Sequence, residues 1–249
     1  MADSTESVDC AEEMERLSDP DPFQLPRRVK QRVRCCSQSE CGDQEDITYV
    51  WIDLCASRPS GSPLSMEDWL SVVDEAAGLG ASWLVFSVPD SPSAFPEVWS
   101  MSQWAQDCYG MVTGFHTRSG RLTVEDFGAL QELDAERCHV FVARERLETV
   151  QQEVPAGVQI HPADPEHDHR HSLCEMPGRM IFVDPEGVLY TCGMVKRNRD
   201  YLLGNVLEKK LNLVVRDPSL PHAVPEQAVR DHHACDGCPP LVARHIHGC

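Results

Sequence analysis

No stretch of these 249 residues stays apolar over the roughly 18 positions that a membrane-spanning helix needs, and no apolar leader core stands near residue 1. The expectation is a soluble, cytoplasmic protein without membrane insertion. Aromatic residues make up only 6% of the chain, and bases are scarce: 22 Lys and Arg stand against 40 Asp and Glu, for a net charge of -18. That deficit argues against a nucleic-acid partner, because general binding depends on Lys and Arg neutralising phosphates. An acidic surface suits solubility or a basic protein partner. Also missing are a Gly-rich phosphate loop, a Gly-x-Ser-x-Gly elbow and a His-Glu-x-x-His zinc motif, so no nucleophile or catalytic residue stands out.

Cysteine is what the chain has in quantity, 12 residues of it. In a reducing compartment grouped cysteines hold metal rather than disulfides. The most organised group runs Cys174-x12-Gly187-x4-Cys192, then after 42 residues Cys235-x2-Cys238, and last Cys249. Thiolates at such intervals converge on one soft metal centre, an iron-sulfur cluster or a zinc ion. Met180-Ile181-Phe182-Val183 and Val188-Leu189-Tyr190-Thr191 flank Asp184-Pro185-Glu186-Gly187, which reads as a hairpin with glycine at a positive φ. Such a hairpin carries Cys192 back beside Cys174. In the Cys235-Asp236-Gly237-Cys238 knuckle, backbone amides can point at the sulfurs. One cluster takes four thiolates, so the C-terminal cysteines support one: Cys174, Cys192, Cys249 and one or both of Cys235 and Cys238. An imidazole from His161, His167, His169, His171, His232, His233, His245 or His247 is a substitute ligand; the plain alternative for each is a polar, solvent-facing loop.

Charge divides the chain. Residues 1–46 carry 12 acidic and 6 basic groups, residues 47–173 carry 19 and 7, and residues 174–249 carry 9 of each. The first segment is an acidic extension, expected to be partly disordered, with a basic run from Arg27 to Arg34 ahead of Cys35, Cys36 and Cys41. From residue 47 short apolar runs alternate with amphipathic stretches. Ile47 to Leu54, Trp83 to Phe86, Val112 to His116 and His139 to Val142 read as strands. Ser65 with Asp68 starts a helix ending at Gly80, Pro96 to Tyr109 is a second, and Thr123 caps a third carrying Phe127, Leu130 and Leu133. The alternation predicts an α/β fold with about four parallel strand-helix units. Cys108 and Cys138 fall on element faces and read as core residues.

The order of these pieces, with Cys55 opening the loop after the first strand, Leu64-Ser65-Met66-Glu67-Asp68-Trp69 leading the first helix and His116 to Thr123 following the third strand, resembles a radical S-adenosylmethionine (radical SAM) enzyme. The C-terminal cysteine pattern, with Leu203-Gly204-Asn205-Val206 between its halves, is similar to the SPASM or twitch extension of that family, whose thiolates bind auxiliary 4Fe-4S clusters. The resemblance implies a partial radical-SAM-like (β/α) barrel over residues 47–173, followed by a small α+β SPASM/twitch-like iron-sulfur domain over residues 174–249.

Two departures govern the functional expectation. The family's catalytic loop is CxxxCxxC, but here Cys55 is followed by Pro59 and Ser62 where the next two cysteines belong. Neither side chain replaces a thiolate on iron. The Gly-Gly-Glu-Pro-like phrase that receives the cofactor's amino group is replaced by Val88-Pro89-Asp90-Ser91-Pro92, which lacks the glycines for close backbone approach. The expectation is therefore a degenerate, non-catalytic relative holding one C-terminal 4Fe-4S cluster, without S-adenosylmethionine, that serves electron transfer or docking in a redox or maturation complex. Two alternatives stay open: a maturase with atypical cluster ligands, drawing on Cys35, Cys36 or Cys41 and acting on a peptide or protein, and a zinc-stabilised adaptor.

Overall fold

The computed structural model describes residues 47–55, 64–117, 121–163, 180–222 and 224. The first strand, β1 (Tyr49–Asp53), is buried at every position. Its sequence has no polar and apolar alternation because both of its faces are covered, the usual state of a central parallel strand. Helix α1 (Met66–Gly78) follows and starts on a capping box: Ser65 Oγ accepts from the Asp68 amide at 3.2 Å and Asp68 Oδ2 accepts from the Ser65 amide at 2.8 Å. Strand β2 (Trp83–Val88) leads to α2 (Pro96–Tyr109), which begins on proline and ends on Gly110 in the left-handed conformation. Strand β3 (Val112–Thr117), α3 (Val124–Glu132) with its Thr123 capping box, β4 (Cys138–Val142), α4 (Leu147–Glu153) and β5 (Gln159–Pro162) complete the alternation.

The four strand-helix units expected from sequence are thus present, with a fifth strand after them. The hairpin also forms: β6 (Met180–Val183) and β7 (Val188–Tyr190) pair antiparallel, then β8 (Leu202–Asn205) and the short α5 (Leu211–Val215) follow. The hairpin joins the same sheet as the strand-helix units, because β6 lies parallel to β1 with Trp51 opposite Phe182. The sheet order is β5-β4-β3-β2-β1-β6-β7-β8, with only the β6-β7 and β7-β8 pairs antiparallel. Strands β5 and β8 are its two edges, so among the described residues the sheet is open. No helix among the described residues is long and apolar enough to cross a membrane.

The two faces of the sheet differ. Val50, Ile52, Leu84, Phe86, Phe115, Val140 and Val183 share one core with residues of all five helices, including Trp69, Val73, Met101, Leu130, Val150 and Val214. Tyr49, Trp51, Trp83, Val85, Phe141, Met180 and Phe182 lie on the other face, in a second core to which Tyr190, Cys192, Val195 and Val224 contribute and no described helix does. That second face carries the polar side chains considered below.

Gly187 closes the hairpin with φ +77°. A Cβ there would stand 2.7 Å from a methyl of Val206 and 2.9 Å from one of Leu64, so both the turn and the packing require glycine. Gly187→Ala is expected to cost about 2 kcal/mol, seen as a lower urea midpoint at unchanged slope. A midpoint equal to the parent's would show that the hairpin is not tied to its neighbours.

Candidate functional site

In parallel sheets, ligands gather at the carboxyl ends of the strands. On the helix-free face those ends form one in-register row: Asp53 on β1 is opposite Ser87 on β2, Ser87 opposite His116 on β3, His116 opposite Phe141 on β4, and Phe141 opposite His161 on β5. Alternation along each strand puts these residues on the face of Trp51 and Phe182.

Asp53 is 2% exposed. Its Oδ1 accepts from the Cys55 amide at 2.9 Å, and its Oδ2 pairs with the ammonium of Lys196, which reaches in from beyond β7. Lys196 also stands 5.7 Å from the centre of the Phe182 ring, a cation-π contact. Burial pushes the Asp53 carboxyl up, but Lys196 and the Cys55 amide outweigh it and hold the group below its ordinary value. The neighbouring Asp184, at the end of β6, goes the other way: burial and the charges of Glu186 and Asp53 raise it, despite the amides of Val188 and Glu186 that donate to it.

Beside Asp53, Trp51 Nε1 donates to Ser87 Oγ at 2.8 Å, and Ser87 Oγ lies 3.1 Å from His116 Nδ1. Indole only donates, so Ser87 Oγ accepts from it, and the direction of the Ser87 contact with His116 Nδ1 follows the tautomer of the imidazole. At the β5 end of the row, His161 Nε2 is 3.0 Å from Nδ1 of His139, which stands two residues before Phe141 on the same face, and the two rings stack at 14°. Trp83 packs on His139 and Phe141 on His161, with ring centres 4.8 Å and 5.6 Å apart. Phe141 reaches this position because Gly114 leaves the space: a Cβ there would be 2.8 Å from its ring.

The loop after β2 is fastened rather than open. Ser91 caps a 3-10 turn, Pro92–Ala94, and the fully buried Asp126 of α3 accepts from Ser91 Oγ at 2.6 Å, the Ser93 amide at 2.8 Å, Ser93 Oγ at 2.6 Å and the Thr123 amide at 2.6 Å. The glycine-free phrase Val88 to Pro92 is thus stitched to the start of α3.

Of the C-terminal cysteines only Cys192 is among the described residues; Cys174, Cys235, Cys238 and Cys249 lie outside them, as do Cys10, Cys35, Cys36 and Cys41. Cys192 is 4% exposed and packs in the second core with Phe182 and Tyr190. Its Sγ accepts from the Met194 amide at 3.4 Å as it caps the 3-10 turn Gly193–Val195. A buried sulfur already accepting a backbone N–H suits a soft metal ligand, so this residue fits an iron-sulfur cluster or zinc. Among the described residues no group of three or more His, Cys, Asp or Glu is arranged to hold a metal. Cys55 is half-buried and is the only thiol described in the loop after β1.

The other expectations divide. Cys138 is a core residue, its thiol raised by burial and its Sγ 3.3 Å from the Gln106 amide nitrogen, whereas Cys108 is half-buried. His161 lies in β5 and contacts another imidazole, rather than standing in a solvent-facing loop; the remaining C-terminal histidines named from sequence are outside the described residues. Lys196, Ser87, His116 and His139 were not singled out in sequence. Lys196 is 143 positions from Asp53, and nothing local marks that pairing.

No family model and no curated protein sequence matches this chain. Solved structures do. BtrN in complex with AdoMet and 2-DOIA superposes with a TM-score of 0.51 at 10% identity, over 78% of this chain and 88% of that one. BtrN in an open conformation gives 0.48 at 12% identity, over 80% and 88%. SuiB of Streptococcus suis bound to S-adenosylmethionine gives 0.48 at 10% identity, over 84% and 75%. Together with the sheet topology, the first likeness gives the chain a radical-SAM-like α/β fold.

The two carboxylates predict opposite acid behaviour. The Asp53 group is depressed when folded, so its stabilisation is fully present above the ordinary carboxylate value and is lost as pH falls from there through the lowered folded value. Asp53→Asn is expected to cost about 2 kcal/mol near neutrality, the penalty shrinking in acid. The Asp184 group is raised when folded, so the chain becomes less stable as pH rises through that raised value. Asp184→Asn, whose amide oxygen can still accept from Glu186 and Val188, is expected to be more stable than the parent at neutral pH, with the gain fading in acid. Urea unfolding at a series of pH values checks both; parallel profiles for the variants and the parent would refute these assignments.

Proposed function

We propose that this radical-SAM-like chain is a non-catalytic iron-sulfur protein that holds one auxiliary-type 4Fe-4S cluster on its C-terminal cysteines and serves electron transfer or docking within a cytoplasmic redox or maturation complex. The observation that carries the non-catalytic part is how the strand ends are used. The sheet end that binds ligands in such folds has Asp53 locked to Lys196, Ser87 bonded between Trp51 and His116, and the loop after β2 stitched down by Asp126. A cofactor's polar groups would have to displace these internal bonds, each of which removal would leave unpaired in a buried setting. The loop after β1 offers Cys55 but has proline and serine at the next two cysteine positions, so three thiolates around one open iron are not provided there.

Support for the cluster is the setting of Cys192, a buried thiol with a backbone amide aimed at its sulfur, within the spacing shared with Cys174, Cys235, Cys238 and Cys249. When bound, such a cluster supplies one-electron transfer at a potential tuned by hydrogen bonds to its sulfurs. The chain's part is to bind and orient it and to exclude water, for which Phe182, Tyr190 and Val195 pack around Cys192. The net charge of -18 suits a basic protein partner and not nucleic acid.

Anaerobic purification with iron and sulfide quantitation, followed by EPR of the reduced protein with and without S-adenosylmethionine, tests the proposal. The expected result is about four irons per chain, a signal indifferent to S-adenosylmethionine, and loss of most bound iron in Cys192→Ser. A signal that changes on adding S-adenosylmethionine would establish the maturase instead, and zinc without iron would establish the adaptor.

A further inference from the structure

One carboxylate joins two segments that sequence keeps far apart. Through Oδ1, Asp53 holds the amide of Cys55; through Oδ2 it holds the side chain of Lys196. Lys196 directly follows the 3-10 turn that Cys192 caps. That turn has little freedom of its own. A Cβ on Gly193 would stand 2.5 Å from the Trp51 ring and 2.6 Å from the Phe182 ring, so the backbone next to Cys192 lies against the side chains of β1 and β6. Upstream, Thr191 Oγ1 donates to the carbonyl oxygen of Pro221. Cys192 is therefore fixed from the residue before it, the residue after it and Lys196 at the end of its turn. Only the last of these anchors reaches a charged group at the carboxyl end of β1.

We propose that Asp53, acting through Lys196, is a positioning residue for the Cys192 thiolate: it fixes the direction in which the sulfur, with the Met194 amide behind it, faces a bound metal centre. The assignment rests on the reading of Cys192 as a cluster ligand. The physical reason is leverage. The Met194 N–H to Cys192 Sγ bond spans 3.4 Å within a single tight turn, and small rotations of that turn lengthen it or redirect the sulfur. Amide bonds to sulfur set cluster potential, so a loosened turn is read out spectroscopically as well as in stability.

The experiment uses the full chain as the parent, Asp53→Asn, Lys196→Met and Lys196→Arg. In metal-free protein, iodoacetamide alkylation of individual cysteines is followed by peptide mass spectrometry. Cys192 is expected to react roughly tenfold faster in Asp53→Asn and Lys196→Met, through more frequent local opening, and near the parent rate in Lys196→Arg, which retains the charge. Buried Cys138 serves as the internal reference. In anaerobically reconstituted protein the same two variants are expected to shift the EPR line shape and midpoint potential, with Lys196→Arg close to the parent. Unchanged Cys192 reactivity and an unchanged spectrum in Asp53→Asn and Lys196→Met would overturn the proposal, and so would an equal rise at Cys138, which marks general loss of stability. A parent that takes up no iron would instead overturn the cluster reading, and the alkylation series would still decide whether Asp53 positions Cys192.

Discussion

The structure depends on β1 being covered from both sides while paired on both edges. Its strand neighbours are β2 and β6, so the strand-helix units and the hairpin are joined through it without a seam. Val50 and Ile52 point to the helices; Tyr49, Trp51 and Asp53 point away from them. A strand in this position cannot carry an unpaired polar group, because desolvation without a partner is costly. Asp53, the polar end of an otherwise apolar strand, is therefore obliged to find a cation and an amide, and the cation comes from the segment that carries Cys192. The Asp53–Lys196 pair thus ties the two halves of the chain a second time, beside the pairing of β1 with β6.

The same obligation explains the helix-free face. Where helices cover the sheet, its side chains are mostly aliphatic or phenyl, and the polar Thr113 and Cys138 are met by Gln106 of α2. On the other face indole, imidazole, hydroxyl and carboxylate groups satisfy one another in register, and the aromatic members fill the gaps: Trp51 meets Phe182 edge-on with centres 5.0 Å apart. Glycine at 114 and 193 lets large rings and a turn approach closely. The face is thus made of large flat side chains over small ones.

Much of the fold was legible in the sequence, and for local reasons. Ser65 with Asp68, Pro96 and Thr123 mark helix starts through backbone chemistry that needs no tertiary context, and the helices begin there, while the first helix stops at Gly78, two residues short of the Gly80 expected from sequence. The hairpin around Gly187 was legible because a positive φ leaves few choices of residue. Helix α4 and strand β5 were not anticipated: α4 has seven residues, too short for its spacing to stand out, and β5 is mostly half-exposed, with no apolar run. The candidate site was legible in part. The cysteine spacing drew attention to Cys192, but the partners of Asp53, Ser87 and His139 come from other strands or from beyond the hairpin, and only the register of the sheet brings them together. Thr123 was legible as a cap, and the role of Asp126 in fastening the loop after β2 was not, since Ser91 and Ser93 lie more than 30 positions away.

Phe141 has a consequence for proton movement. It stands in the row between His116 and His161, its ring held in the space that Gly114 leaves. A phenyl ring neither gives nor takes a proton, so the neighbours that the sheet's register sets on either side of it in that row, the imidazoles of His116 and His161, face each other across a group that cannot relay one between them.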